Sequence, residues 1–153
     1  MKIAQTTDYN ALAKLNKNVH ELHVHLYPNY FMPYSYSDMV EEFKKLVEKE
    51  YFIFLILTED NEDKGFVFYE IVNKPGTPFK KPYKTLYVHQ ISVEKADQKK
   101  GIGDALMNEV TKAAKESKVD CIELDYWVKN ENARNFYKKR GFKVEREFVR
   151  KNL

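Results

Sequence analysis

Cysteine is nearly absent from this sequence, which has a single one, Cys121, among 153 residues. A lone thiol cannot form an internal disulfide, and its scarcity is typical of proteins that fold in a reducing compartment. We therefore expect a cytoplasmic protein. We interpret Cys121 as a core residue of a buried strand rather than as a nucleophile.

Long apolar runs are missing as well. The longest, residues 51–57, is far shorter than the roughly 20 residues that a membrane-spanning helix needs. The N-terminus has no apolar segment of the secretory type, so we expect neither secretion nor a membrane partner. The net charge of +3 is too small to indicate a nucleic-acid-binding protein. No linker, repeat or low-complexity segment divides the chain, which predicts one domain over residues 1–153.

Hydrophobic periodicity and turn residues predict alternating strands and helices. The predicted strands cover residues 2–5, 51–58, 66–72, 85–93, 121–128 and the chain from 142 onward. The predicted helices run from the Thr6-Thr7-Asp8 cap to about residue 23, from an Asp38 capping box to about residue 50, over 103–117 and over 131–140. This order predicts a mixed α/β sheet of about six strands flanked by four helices.

Glycine is scarce, yet two of the five glycines fall in Gln98-Lys99-Lys100-Gly101-Ile102-Gly103, between a predicted strand and a predicted helix. A helix N-terminus exposes unpaired N–H groups and a partial positive charge, and glycines let phosphate oxygens approach them. The two lysines add charge beside this place. The spacing matches neither a P-loop nor a dinucleotide fingerprint, and a tight turn is the alternative explanation of the glycines.

Two motifs carry a resemblance to a known family. The pattern Gln-x-x-Gly-x-Gly after Ile91-Ser92-Val93 resembles the pyrophosphate loop of the GNAT superfamily of N-acetyltransferases. The segment Asn130-Glu131-Asn132-Ala133-Arg134-Asn135-Phe136-Tyr137, followed by Gly141-Phe142, is similar to the family's Asn-x-x-Ala-x-x-Phe/Leu-Tyr…Gly-Phe motif. The resemblance extends to the order of predicted elements over nearly the whole chain. It implies the GNAT fold and acetyl-CoA as co-substrate.

The resemblance also implies where the co-substrate lies. Strands ending at Val93 and Val128 would splay apart and hold the pantetheine arm between them, while main-chain N–H groups of residues 98–104 hold the pyrophosphate. Asn130 would bond the pantetheine or the loop around it. The implied binding residues are Ile91, Ser92, Val93, Gln98, Lys99, Lys100, Gly101, Ile102, Gly103, Asp104, Asn130, Ala133, Phe136 and Tyr137.

Two side chains are implied in catalysis. Tyr137 matches the tyrosine that protonates the leaving thiolate, and the Val93 N–H is the natural oxyanion donor. His89 occupies the position at which many relatives place a glutamate base, and a histidine can take a proton near neutral pH. The alternatives are that Tyr137 only packs on the sheet, and that His89 only hydrogen-bonds within the sheet while water acts as the base.

The acceptor contacts are predicted from residues that lie outside the two motifs. The resemblance implies that the segment joining the first two helices, residues 27–36, lines the acceptor pocket, where aromatic rings hold an ammonium group by cation–π contact. The alternative is an aromatic cluster that closes the core or a dimer contact. Asp125 shares a strand face with Glu123 and Trp127, either to contact a cationic acceptor or as a solvated side chain. The predicted acceptor-binding residues are His23, Tyr30, Tyr34 and Asp125.

Metal binding is not expected. His20, His23 and His25 cluster near the end of the first helix, but no acidic ligand at helical spacing completes a zinc site.

The sequence departs from the family pattern in two places. Asp104 follows Gly103 where relatives usually carry a basic or small residue, which predicts a weaker grip on the pyrophosphate. Only eleven residues follow Phe142, so we expect one final strand instead of a terminal hairpin. A homodimer would cover the sheet edge that this leaves.

These observations predict an N-acetyltransferase that transfers the acetyl group of acetyl-CoA to a primary amine, by direct attack through a tetrahedral intermediate. The alternative is a non-catalytic acyl-CoA-binding module of the same fold. The sequence leaves open whether the acceptor is a polyamine, an antibiotic, an amino acid, or a protein N-terminus or lysine.

Overall fold

The computed structural model describes residues 1–153 as one five-stranded sheet with helices on both faces. The strands are β1 Lys2–Gln5, β2 Phe52–Glu59, β3 Glu62–Lys74, β4 Tyr83–Val93 and β5 Cys121–Glu123. The helices are α1 Tyr9–Leu26, α2 Tyr36–Val47, α3 Ile102–Glu116 and α4 Glu131–Lys139, with one 3₁₀ turn at Lys95–Asp97. Neighbouring strands follow chain order, and all pair antiparallel except β4 and β5, which are parallel. The mixed α/β fold with four helices is confirmed, with five strands instead of about six.

Two apolar layers cover the two faces of the sheet. Helix α3 packs on one face, where Leu106, Met107 and Val110 meet inward residues of β2, β3 and β4. Helices α1 and α2 cover the other face, where Leu12 and Phe43 pack among phenylalanines of β2 and β3. The near-continuous apolar runs of β2 and β3 follow from this arrangement, because both of their faces are buried.

Side-chain caps fix the starts of three helices. Asp8 Oδ1 accepts from the N–H groups of Asn10 and Ala11 at the start of α1. Helix α2 is capped by Ser35 instead of Asp38, since the Ser35 hydroxyl accepts from the Asp38 N–H and the helix begins one residue after Ser35. The predicted capping box at Asp38 is therefore wrong, because the capping residue of α2 lies one turn earlier, at Ser35. Helix α3 begins after Gly101 and has no side-chain cap at all.

A β-bulge at His89 turns the strand β4. Phe68 of β3 pairs with Gln90, whereas the next residue, Tyr69, pairs with Val88, so His89 is an extra residue. Such an insertion shifts the alternation of side chains by one position. Before the bulge, even-numbered residues of β4 such as Val88 face α3. After the bulge, even-numbered residues face the opposite side of the sheet: Ser92 faces α1 and donates its hydroxyl to the Leu15 carbonyl.

The predicted final strand and the predicted length of β5 are wrong. Strand β5 ends at Glu123 instead of residue 128, and no strand follows α4. The only main-chain hydrogen bond donated from residues 142–153 joins the Phe142 N–H to the Tyr137 carbonyl. Strand β5 is only three residues long. A further strand added at its edge would find only three residues to pair with, fewer than most strands have.

Cys121 is exposed, not buried as predicted, because it begins the edge strand β5.

No helix of the structure combines the length and the apolar character needed to cross a bilayer.

The packing of α2 generates a stability prediction. Phe43 is 3% exposed and its ring meets those of Phe54, Phe66 and Phe68, whereas Phe79 is 95% exposed. Phe43→Ala should lower the free energy of unfolding by about 3–5 kcal/mol, the usual cost of removing a buried ring. Phe79→Ala, the matched control, should change it by less than about 0.5 kcal/mol. Urea unfolding measures both, and equal midpoints for the two variants would contradict the packing of α2 on the sheet.

Candidate functional site

The strands β4 and β5 diverge after three paired residues. Their parallel pairing covers Thr85 with Cys121, Leu86 with Ile122 and Tyr87 with Glu123, and then stops. Beyond Tyr87, β4 continues to Val93 with β3 as its only strand neighbour. One edge of this stretch therefore has free main-chain donors and acceptors, which an extended ligand could pair with.

The structure places Ile91, Ser92 and Val93 along this free edge. Ile91 and Val93 point their side chains toward the layer of α3. Ser92 is buried and its hydroxyl is already bonded to the Leu15 carbonyl at 2.6 Å. The side chain of Ser92 is therefore not free to contact a ligand.

The loop before α3 presents a row of unpaired N–H groups. None of the seven N–H groups of residues 98–104 donates a hydrogen bond within the chain, and α3 has no side-chain cap. Lys99 and Gly101 both have left-handed backbone conformations, with φ of 64° and 84°. A Cβ built on Gly101 meets nothing within 4 Å. The loop is thus an open concave set of donors at a helix N-terminus, which fits an anionic group such as a pyrophosphate.

The two lysines of the loop differ in their surroundings. Lys100 is bound to Asp97 at 3.0 Å, and Lys64 approaches the same carboxylate at 3.6 Å. The Lys100 hydrogen bond, the strongest influence, lowers the pKa of Asp97 below its usual range. Lys99 makes no ion pair. Lys99 is therefore the loop cation left without a partner.

The second motif packs against the first. Asn130 Oδ1 accepts from the Ala133 N–H at 3.1 Å and so caps α4. The ring of Phe136 lies 3.4 Å from the position that a Cβ on Gly103 would take. Gly103 thus serves the close approach of α3 and α4, and the cap occupies the Asn130 oxygen that we expected to bond the pantetheine or its loop.

Arg140 neutralises Asp104, an interaction that the sequence analysis missed. Its guanidinium donates to Asp104 Oδ1 at 2.6 Å and to Asn108 Oδ1 at 2.7 Å, and it lies over the Phe136 ring. The carboxylate at the start of α3 is therefore paired. The basic run before Gly141 was visible in the sequence, but only the fold brings Arg140 to a partner 36 residues away.

Tyr137 is buried at the centre of an aromatic group. Its residue is 7% exposed, and its ring meets those of Tyr126, Phe136 and Phe142. Burial, with a smaller contribution from the charge of Asp125, raises the pKa of Tyr137 to about 12. The hydroxyl therefore stays protonated throughout the physiological range.

His89 is oriented by an acidic partner. Its Nε2 lies 2.8 Å from Glu70 Oε1, and the ring stacks on Phe68 with centroids 5.2 Å apart. When Nε2 donates to this carboxylate, Nδ1 carries the lone pair and can accept a proton. Glu70 was not singled out in the sequence, although its position on the strand next to the bulge is the reason for the contact.

A hydrogen bond spans the mouth of the gap between β4 and β5. The Tyr87 hydroxyl donates to Asp125 Oδ2 at 2.5 Å, and burial followed by this bond raises the pKa of Tyr87. The Tyr87 ring also lies 5.0 Å from the His89 ring. Asp125 influences Tyr137 electrostatically. Tyr87 and Asp125 thus connect the two predicted catalytic side chains, which make no direct contact.

The aromatic segment after α1, residues 27–36, packs against Trp127. The rings of Tyr27, Tyr30 and Phe31 lie within 5.0 Å of the Trp127 ring centroid. Two of these rings already carry a cation from the same chain, Tyr27 that of Lys129 and Tyr30 that of Arg150. Tyr30 is nevertheless 52% exposed.

The predicted acceptor residues near this segment are engaged within the chain. Tyr34 donates its hydroxyl to the Ala13 carbonyl at 2.6 Å, and His23 stacks on Phe31. Burial, then the neighbouring His20, lowers the pKa of His23. No three His, Cys, Asp or Glu side chains lie close enough together to hold a metal ion.

Comparisons with known proteins agree with the fold. The acetyltransferase (GNAT) family model matches residues 16–142. A tetramutant of the BH1408 protein from Bacillus halodurans is 26% identical, with a TM-score of 0.93 over 100% of both chains. An aminoglycoside antibiotic 6'-N-acetyltransferase from Acinetobacter haemolyticus is 15% identical, with a TM-score of 0.73 over 100% of this chain and 98% of that chain. At that identity the likeness shows the fold alone.

Proposed function

Because the chain belongs to the acetyltransferase (GNAT) family, we propose that it transfers the acetyl group of acetyl-CoA to a primary amine. The observation that carries this proposal is the row of unpaired N–H groups at residues 98–104, placed beside the free edge of β4. A pyrophosphate fits the first feature, and an amide-containing arm fits the second. Bound acetyl-CoA would supply an acetyl group activated as a thioester.

The reaction joins the amine nitrogen to the acetyl carbon and breaks the carbon–sulfur bond. The amine must lose a proton, and the departing sulfur must be stabilised and finally protonated. His89, oriented by Glu70, is the group that takes the amine proton, directly or through water. Val93 is placed on the free edge of β4, where its main chain is the candidate donor to the oxyanion.

The surroundings of Tyr137 refine its role. Burial holds the pKa of the Tyr137 phenol well above the value of about 8.5 of a simple thiol, so full proton transfer to the departing sulfur is uphill. We therefore propose that Tyr137 mainly stabilises the departing sulfur by donating a hydrogen bond. The proton removed from the amine then completes the thiol.

Acceptor contacts by His23, Tyr30, Tyr34 and Asp125 stay predictions. The alternative function, a non-catalytic acyl-CoA-binding module, uses the same loop and free edge. The two functions differ in one measurable product, the free thiol released when an amine is acetylated.

The first functional prediction concerns Tyr137. Tyr137→Phe removes the hydroxyl and keeps the buried ring, so kcat for thiol release should fall by about 10²–10³-fold, as for other transition-state hydrogen-bond donors. Acetyl-CoA affinity, measured by calorimetry, should change little. Tyr126→Phe is the matched control, because the Tyr126 ring stacks on Tyr137. Equal kcat values for the two variants would exclude the proposed role. Wild-type protein that binds acetyl-CoA but releases no thiol with any amine would favour the binding module.

The second prediction concerns the pair Asp104 and Arg140. Arg140→Gln leaves an unpaired carboxylate beside the N–H groups of the loop, and acetyl-CoA affinity should fall by about tenfold, within the range of charge effects at a helix N-terminus. The double variant Asp104→Asn with Arg140→Gln should recover most of that affinity. Calorimetry with acetyl-CoA measures both. If the double variant binds as weakly as Arg140→Gln alone, Arg140 does not act by neutralising Asp104.

The third prediction concerns His89. His89→Gln should reduce kcat most where the imidazole is neutral but nearly all of the amine is still protonated, and the loss should shrink as pH rises further and the amine loses its proton unaided. Glu70→Gln should produce a smaller loss with the same pH trend, because it removes only the group that orients the ring. The measurement is the ratio of variant to wild-type kcat over pH. A ratio that does not vary with pH would remove His89 from the role of base.

A further inference from the structure

A cavity of about 280 Å³ lies between α1, α2 and the bulge of β4. It belongs to the face of the sheet opposite α3, next to His89 and Gln90. None of the four acceptor residues predicted from the sequence lines it. The volume is enough for a chain of several heavy atoms.

One wall of the cavity contains a buried polar atom without a partner. Asn16 is 3% exposed, and its Nδ2 donates to Gln90 Oε1 at 2.9 Å. Its Oδ1 accepts no hydrogen bond. Buried carbonyl oxygens are nearly always paired in proteins, so a donor from a bound water or from a ligand is expected beside this oxygen.

The charge of the lining is negative, although the whole chain has a net charge of +3. Glu42 of α2 lines the cavity and makes no ion pair within the chain, and no lysine or arginine lines it. His20 is bonded to the Met32 carbonyl through Nε2. The apolar part of the wall is formed by Met39, Phe43, Leu46 and Phe68.

We propose that this cavity binds the acceptor, and that the acceptor is a short aliphatic amine with a second ammonium group. Glu42 pairs with that second ammonium, Asn16 Oδ1 accepts an N–H of the same molecule, and the methylene chain lies along Phe43 and Phe68. The reacting amine then lies at the bulge, beside His89. The identity of this molecule as an acetyl acceptor rests on the proposed function, whereas its binding does not.

The test uses three probes of similar length on the protein without acetyl-CoA. These are 1,4-diaminobutane, 1-aminopentane and 1,4-butanediol, which carry two, one and no ammonium groups. Calorimetry should show that the diamine binds about threefold to fivefold more tightly than 1-aminopentane, the difference expected from one ion pair at an exposed glutamate. Equal affinities for the two amines would overturn the proposal.

Two neighbouring glutamates supply a matched pair of variants. Glu42→Gln should weaken diamine binding to the level of 1-aminopentane. Glu41→Gln is an equal charge change at the neighbouring position, exposed like Glu42 but outside the lining, and it should change diamine binding less than about twofold because a screened charge away from the cavity contributes little. Asn16→Leu should weaken binding of both amines, and its thermal melting curve shows whether it folds. Equal effects of Glu42→Gln and Glu41→Gln would overturn the proposal whatever Asn16→Leu does.

Thiol release separates this proposal from the proposed function. Diamine binding that depends on Glu42 without thiol release from acetyl-CoA would support the amine site and contradict the transferase. Thiol release with other amines, together with no effect of Glu42→Gln on the diamine, would support the transferase and contradict this site. Acetylation of the diamine with a raised KM in Glu42→Gln and an unchanged kcat would support both.

Discussion

The parallel pairing of β4 and β5 ends after Tyr87 and Glu123, and the rest of the candidate site is arranged around the gap that follows. A strand in the middle of a sheet normally has its main chain paired on both sides, because unpaired buried groups are costly. Beyond Tyr87, β4 is paired with β3 on one side and has no strand neighbour on the other. The free edge leads directly to the loop at residues 98–104, so unpaired main-chain groups continue from the strand to the start of α3.

The bulge at His89 determines which face of the sheet each later side chain of β4 points to. Without an extra residue, Ile91 and Val93 would face α1 and α2, and the polar Gln90 and Ser92 would face the apolar layer of α3. The insertion reverses this, so that the apolar pair packs toward α3 and the polar pair bonds to α1. The bulged residue itself is left on the α1 and α2 face, where it meets Glu70. The position of the candidate base thus follows from the way in which β4 satisfies two different faces.

Features carried by short stretches of sequence were predicted well. The loop before α3 and most helix limits depend on residues a few positions apart, and the two motifs identified the family. Contacts between distant residues were not predictable in the same way. Asp104 looked like a defect because Arg140 lies 36 residues away, and Glu70 had no visible role because only strand pairing brings it to His89.

The wrong predictions have a common physical cause. Residues 121–128 have the composition of a strand, but β4 diverges from them after the third pair, and the remainder is held instead by the aromatic cluster around Trp127. Cys121 looked like a core residue because a strand between two neighbours would bury it. On an edge strand it is exposed. The length of β5 and its place at the edge depend on how the strands pair in the sheet, and the composition of residues 121–128 alone does not determine that pairing.

Charge is distributed differently on the two faces that meet at β4. On the side of α3 lie the free N–H groups of the loop, the unpaired Lys99 and an aspartate whose charge Arg140 cancels. On the side of α1 and α2 the cavity has Glu42 and no lysine or arginine. Under the proposed function, phosphates would be attracted to one face and an ammonium group to the other, so that two oppositely charged molecules approach β4 from different sides. Under that function, the gap between β4 and β5 is where their reacting groups would meet.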